Sequence, residues 1–338
     1  MRARPSESRR FGHYPTPVQR IVRLSRDDAE LWVKRDDLTH PVYGGNKVRK
    51  LEVLFDALGT LPGARIATLG AVGSHHVLAT TYFGSKVGLS VEAVLFPQPR
   101  TDHVVDVLRA DLALGLRAFA APSPTVAVLG LLGRAFTGAA IVPPGASSVT
   151  GAMGYVAAAR ELAAQVRAGT MPEPDLCVVA LGSGGTAAGL AAGFAAERMK
   201  TRVVGVCILQ PAWAAAAVAR WLARGCARRL GISPGLIAGR LLVDTGFVGG
   251  GYGCTSPEAE DAIRIAASDA DLTLDPTYTG KAFACALHRL RPPRAGRVLY
   301  WHTLSSAPLA PFLALAPPLE AVRSSLRQLL TRPREFIE

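Results

Sequence analysis

Short apolar runs alternate along this chain with longer stretches in which apolar residues return every three or four positions. The polar stretch up to about Thr16 is expected to be poorly ordered at its tip. Glu30-Leu-Trp-Val-Lys-Arg35 then reads as a strand. After a loop through His40 to Gly45, a helix is expected from Asn46, carrying Val48, Leu51, Val53, Leu54 and Leu58 at mixed spacings of three and four. The alternation predicts further strands at 65–69, 90–96, 116–120, 175–180 and 202–209, and helices at 76–87, 102–114, within 145–167 and at 185–199. Such alternation builds parallel sheets covered by helices on both faces. This many units call for an α/β chain with two doubly wound parallel-sheet domains.

Composition narrows the class. Of 338 residues, 49% are hydrophobic and 19% charged, a core-rich globular balance rather than a disordered one. The longest uncharged stretches, Ala135 to Ala159 and Leu176 to Ala196, contain Pro143-Pro144 and five glycines respectively, so neither reads as a bilayer span. Pro5, Ser6 and Glu7 interrupt the basic start where a secretory segment would turn apolar, and a cytoplasmic protein is expected. Five cysteines, at least 19 residues apart and without a C-x-x-C pair, argue against a zinc site and against a disulfide framework; no metal is expected. The net charge of +12 would suit a nucleic-acid binder, but 32 of the 38 basic residues are arginines scattered through the chain, without a dense run or interleaved aromatics. Neither nucleic acid nor membrane is an expected partner.

Four segments could carry chemistry. In Leu181-Gly182-Ser183-Gly184-Gly185-Thr186, glycines between a strand and a helix let successive N–H groups face an anion, with the helix N-terminus adding its partial charge. Gly182, Gly184 and Ala187 also fit the dinucleotide pattern G-x-G-x-x-A, but the next strand closes at Gln210-Pro211 without the acid that would hold a ribose. A plain glycine-rich turn is the bland alternative. The second segment is Gly44-Gly45-Asn46-Lys47-Val48-Arg49-Lys50, which holds two of only six lysines in an arginine-rich chain. Only a lysine amine can lose its proton and form a Schiff base with an aldehyde. Lys47 and Lys50, three apart, share a helix face, so one amine could bond a cofactor aldehyde while the other meets its phosphate; two surface lysines are the alternative. The third and fourth are Asp275-Pro-Thr-Tyr278-Thr279-Gly280-Lys281 and Gly73-Ser74-His75-His76, both loops leading into helices. No G-x-S-x-G and no P-loop pattern occurs.

In this order the segments resemble the pyridoxal-phosphate enzymes that include D-cysteine desulfhydrase and 1-aminocyclopropane-1-carboxylate deaminase. The likeness runs from Tyr14-Pro-Thr-Pro17 through Lys34-Arg35-Asp36-Asp37-Leu38 and Gly44 to Glu52, and ends at His302-Thr303. It implies a tryptophan-synthase-β type of fold, with a large cofactor domain at 1–52 and 165–338, a small mobile domain at 53–164, and a cytoplasmic homodimer acting on a small amino acid. Residue by residue, the resemblance implies that Lys47 carries the cofactor as a Schiff base and shuttles the proton, and that Lys50 with Gly182, Ser183, Gly184, Gly185 and Thr186 clamps its phosphate. It further implies that Ser74 meets the substrate carboxylate or assists proton transfer, and that Tyr252 and Tyr278 line the active site. Thr279 stands where the deaminase branch has a glutamate, and Thr303 where it has a leucine, so both side with the desulfhydrase branch. The pattern breaks at His75, in place of an asparagine that bonds the cofactor's phenolic oxygen, and at Leu304-Ser305, in place of two glycines.

The implied activity is a lyase or deaminase reaction, foremost α,β-elimination of a D-cysteine-like or cysteate-like substrate to a 2-keto acid and ammonia. A neutral hydroxyl such as Thr303 or Thr279 at the ring nitrogen would not protonate it as a carboxylate does, which favours prompt loss of a β-substituent. β-Replacement, isomerisation, 1-aminocyclopropane-1-carboxylate deamination and a catalytically silent homologue are the alternatives.

Overall fold

The computed structural model describes residues 10–59, 63–251, 253–291, 296–305 and 308–331. In chain order the elements are β1 (Val18–Arg20), β2 (Ala29–Arg35), α1 (Asn46–Leu58), β3 (Arg65–Ala71), α2 (His75–Lys86), β4 (Ser90–Phe96), β5 (Gln98–Pro99), α3 (Asp102–Ala113), β6 (Arg117–Ala120), α4 (Pro124–Phe136), β7 (Ala140–Ile141) and α5 (Val149–Arg167). There follow β8 (Leu176–Leu181), α6 (Gly185–Ala196), β9 (Arg202–Cys207), α7 (Ala212–Arg229), β10 (Leu241–Asp244), α8 (Pro257–Ala270), α9 (Thr279–Arg289), β11 (Gly296–His302), α10 (Ala310–Leu313), α11 (Ser324–Arg327) and β12 (Leu330–Thr331).

The larger of two units takes the chain from Arg10 to Val53 and from Ser147 onward to Ser305. Its six strands lie in the order β1-β2-β11-β8-β9-β10, parallel throughout except where β1 meets β2. Successive residues of one strand feed opposite faces. Cys177 and Val179 of β8 pack with α5, α6 and α7, while Val178 packs with α8 and α9. Burial on both faces explains why β8 and β11 read as continuous apolar runs instead of alternating. Helix α6, Gly-Thr-Ala-Ala-Gly-Leu-Ala-Ala-Gly-Phe-Ala-Ala, is buried almost all round because α5 and α7 flank it, and small residues let three helix backbones approach.

The smaller unit takes Leu54 to Ala146 and 308–331. Its four strands, all parallel, lie in the order β6-β4-β3-β7, and the end of the chain returns as β12 beside β5. The two-sheet α/β expectation holds. The division differs from that expected at 53–164. It falls at Ala146–Ser147, because α5 packs along α6 and carries Tyr155, Glu161 and Gln165 into the larger unit, and residues 308–331 lie with the smaller one.

Candidate active site

Loops at the carboxyl ends of parallel strands hold the chemically capable side chains, the usual position of ligands in open α/β sheets. In the larger unit three such loops meet at the first turn of α1. Gly45 has φ +95°, and a Cβ there would stand 2.7 Å from the Leu304 carbonyl oxygen, so only glycine admits the 304–305 backbone at this point. The Asn46 N–H donates to the Thr303 carbonyl at 3.4 Å. The Asn46 side chain donates to the Thr186 hydroxyl at 3.3 Å and accepts from the Lys47 amine at 2.6 Å, tying the lysine to the glycine turn after β8. Burial pushes the Lys47 amine down to about 8 against the opposing pull of the Asp275 carboxylate. An amine with that value is neutral in about a tenth to a fifth of molecules near physiological pH, far more than an ordinary lysine, and only the neutral form attacks an aldehyde or accepts a proton.

The turn itself is a cup. Gly184, with φ +87°, is the N-cap of α6. The Ser147 hydroxyl lies 2.7 Å from that of Ser183, accepts from the Gly185 N–H at 3.3 Å and takes the Lys50 amine at 3.4 Å. Lys50 is 1% exposed and, among the described residues, forms no ion pair with a carboxylate. Burial, and then the charge of Lys47, push its amine well below the ordinary lysine range. A buried amine, hydroxyls and a helix N-terminus around one turn are the donor set of a phosphate site. The ring of Tyr278 borders it, since a Cβ on Gly182 would stand 3.3 Å from the Tyr278 Cε1.

Asp275 organises the loop before α9. Its carboxylate accepts from the N–H groups of Thr277, Tyr278 and Thr279 at 2.9, 2.7 and 3.1 Å, and from the Thr279 hydroxyl at 2.5 Å. The Thr279 hydroxyl in turn accepts from the Asp275 N–H at 2.7 Å, so its proton is committed to Asp275. Lys281 is buried and donates to the carbonyls of Val248 and Gly251 at 2.6 and 2.9 Å, a structural clamp on that loop. Tyr252 lies outside the described residues. Burial pushes His302 down to about 4 against the pull of Asp37, leaving a neutral imidazole below Thr303.

A buried network fixes the other side of α1. Arg49 donates to both Asp36 oxygens, at 2.8 and 3.0 Å, and to Glu161 at 2.9 Å. Tyr155 and Trp301 each donate to Asp36 at 2.8 Å, and Lys34 reaches Glu161 at 2.5 Å. Burial opposes the charge on Asp36, but Arg49, Lys34 and Trp301 outweigh it and hold the carboxyl below its usual range. Lys34 and Asp36 of the Lys-Arg-Asp-Asp-Leu pattern are therefore supports that orient Lys47 and Lys50, not reacting groups.

In the smaller unit Ser74 is the N-cap of α2, and its hydroxyl bonds none of the helix's N–H groups. His75 Nε2 lies 2.8 Å from Nε2 of His103 on α3, with the rings stacked at 5.0 Å. His76 Nε2 meets the Thr68 hydroxyl at 2.8 Å.

Of the residues singled out from sequence, Lys47, Lys50, Gly182 to Thr186, Tyr278, Thr279 and Thr303 gather in the larger unit, whereas Ser74 and His75 belong to the smaller. Asn46 and Asp275 stand within the four sequence segments without an expected role, and Ser147 lies outside them. Ser147 carries a weak signal, since Ser148 already caps α5 by accepting from the Gly151 N–H at 3.0 Å, and a second serine is left over. Asp275 precedes a proline and reads as an ordinary turn residue.

These residues fit pyridoxal 5'-phosphate: Lys47 for its aldehyde, and Lys50, Ser147 and the Gly182 to Thr186 turn for its phosphate. Next to Gly45, the Ser305 hydroxyl is buried without a partner among the described residues, a polar atom suited to the same ligand. Comparison with known proteins agrees. A family profile described as pyridoxal-phosphate dependent enzyme matches residues 9–303. A protein of Pyrococcus furiosus, provisionally named a 1-aminocyclopropane-1-carboxylate deaminase, is 34% identical over 86% of this chain and 89% of its own. The D-cysteine desulfhydrase of Yersinia pestis is 32% identical over 85% and 90%. A crystal structure of a 1-aminocyclopropane-1-carboxylate deaminase homologue superposes with a TM-score of 0.74 at 28% identity, covering 90% of this chain and 95% of the other. By this profile and these relatives the chain belongs to the pyridoxal-phosphate-dependent enzymes, in the group of the 1-aminocyclopropane-1-carboxylate deaminases and D-cysteine desulfhydrases.

Proposed function

We propose that the protein eliminates the β-substituent of a small amino acid, D-cysteine or a close analogue, converting D-cysteine and water to pyruvate, ammonia and hydrogen sulfide. The observation that carries this reading is Thr279. It replaces the glutamate of the deaminase branch, and its hydroxyl proton is held by Asp275 at 2.5 Å. When bound, the cofactor supplies an electron sink for charge left at the substrate's Cα. Lys50, Ser147 and the Gly182 to Thr186 turn hold the phosphate, and Asn46 orients the Lys47 amine. That amine, lowered to about 8 by burial, accepts the Cα proton. Ser74 is assigned to the substrate carboxylate, His75 and Thr303 to the cofactor's surroundings, and Tyr252 and Tyr278 to the walls of the site. The cytoplasmic homodimer implied by the family resemblance belongs to the same reading, and sedimentation tests the dimer.

Supplying the cofactor-loaded enzyme with D-cysteine and, separately, with 1-aminocyclopropane-1-carboxylate tests the assignment. Equimolar pyruvate and sulfide from the first, with little 2-oxobutyrate from the second, is the expected result. Faster release of 2-oxobutyrate, or no keto acid from D-cysteine but a β-substituted amino acid once a second nucleophile is added, overturns it.

A further inference from the structure

Helix α7 buries mostly small residues, together with Leu222 and Cys226, and carries its two tryptophans outward. Ala215, Ala219, Ala223 and Ala227 are buried, while Trp213 and Trp221 are 75% and 62% exposed. On the outer side, Arg220 and Arg224, one helical turn apart, border a cavity of about 230 Å³ whose other walls include Gly235, Ile237, Gly239 and Leu241. Ile237 and Leu241 are buried apolar residues, so the cavity pairs a cationic rim with an apolar floor. Neither guanidinium forms an ion pair or hydrogen bond among the described residues, and both are exposed. Two like charges at this spacing repel, and an anion between them would relieve the repulsion.

The chemistry of the rim and floor selects the ligand. A bare inorganic anion leaves the floor unfilled, and a neutral apolar molecule leaves the guanidiniums without a partner. A carboxylate or phosphate monoester on a short apolar body satisfies both. The volume, below the roughly 300–1,000 Å³ of drug-sized pockets, suits a metabolite.

Position gives such a ligand a consequence. Ala219 lies directly behind the glycine turn: a Cβ on Gly184 would stand 3.0 Å from the Ala219 Cα. Arg220 is the next residue, so a ligand drawn against Arg220 and Arg224 bears on the helix segment that backs the cofactor's phosphate cup. We propose that this cavity is a second, non-catalytic site for a small organic anion, coupled through α7 to cofactor binding. The coupling rests on the cup reading above; the binding does not.

Calorimetry with phenyl phosphate on the cofactor-loaded enzyme, in which the cup is already filled, tests the site. Saturable one-to-one binding is expected, weakened at least tenfold in the Arg220→Ala/Arg224→Ala double variant, with inorganic phosphate and benzyl alcohol each at least tenfold weaker than phenyl phosphate in the wild type. Both arginines are exposed, and circular dichroism confirms that the variant folds. No saturable heat, or equal affinity in the double variant, overturns the site. The cofactor's dissociation constant, titrated by absorbance, should change at least threefold more under saturating phenyl phosphate in the wild type than in the variant. An equal change in both overturns the coupling, because linkage requires each ligand to alter the other's affinity.

Discussion

Replacing Gly184 by alanine separates two physical effects that the structure places at one residue. Gly184 has φ +87° and ψ −20°, and an L-residue held in a left-handed conformation costs about 1–2 kcal/mol. The added Cβ would also stand 3.0 Å from the Cα and 3.3 Å from the backbone nitrogen of Ala219, atoms of a packed helix that cannot rotate aside. Overpacking of this kind costs about 1–3 kcal/mol. The sum for Gly184→Ala is about 2–5 kcal/mol. Gly231 is the internal control: it has φ +69°, but a Cβ there meets no atom within 4 Å, so Gly231→Ala should lose only the backbone part. Urea unfolding of both variants, with and without cofactor, measures the difference, expected at about 1–3 kcal/mol. The strain is relieved most easily by moving the turn away from α7, which displaces its N–H groups. Cofactor affinity should then fall at least tenfold in Gly184→Ala, further in Gly184→Val, and not at all in Gly231→Ala. Equal stability loss and unchanged cofactor affinity in the Gly184 and Gly231 variants would refute the packing argument and remove this turn from the phosphate site.

Three other substitutions probe separate parts of the account. Arg49→Met leaves Asp36 and Glu161 buried without their main partner and should cost about 3–5 kcal/mol in chemical denaturation; a loss below 1 kcal/mol would mean that the network does not support α1. Lys50→Met should weaken cofactor binding at least tenfold yet stabilise the cofactor-free protein. Because the folded chain holds the Lys50 proton less tightly than the unfolded one, cofactor-free stability should rise with pH on approaching 10.5, and the variant should lose part of that slope. A slope falling with pH, or cofactor retention equal to wild type, would contradict the assignment. His75→Asn removes a partly exposed ring pair and should change stability by less than about 1 kcal/mol. It should raise activity toward D-cysteine relative to other substrates, and an identical substrate ranking places His75 outside the chemistry.

The longer strands up to β9 and most helices between them were legible, because strands and helices differ in period; α4 and the short strands β1, β5 and β7 were not. Helix α7 was not legible, because its buried face is mostly alanine, with Leu222 and Cys226, while Trp213 and Trp221, its largest apolar residues, point to solvent. β11 lies at the centre of the larger sheet, but it begins with Gly296-Arg297 and carries no polar alternation. Lysine scarcity proved informative in a broader sense than catalysis. Lys34, Lys50 and Lys281 are buried and Lys47 is partly so, leaving only Lys86 and Lys200 exposed. Rarity thus marks interior work, and local sequence cannot separate a buried ion-pair lysine from a cofactor lysine; Asn46 and the absence of a carboxylate ion pair do. The roles of Ser147 and Asp275 are not legible locally because they arise from strands distant in sequence, which place Ser147 beside Ser183 and Asp275 within reach of the Lys47 charge.

The proposed chemistry requires that the Lys47 amine, and no other lysine of the chain, holds the cofactor. Borohydride reduction of the cofactor-loaded enzyme, followed by proteolysis and mass spectrometry, should yield a single cofactor-modified peptide with the modification on Lys47, and none from Lys47→Ala treated in the same way. Modification of Lys34, Lys50 or Lys281 instead, or an unmodified wild-type chain, would contradict it.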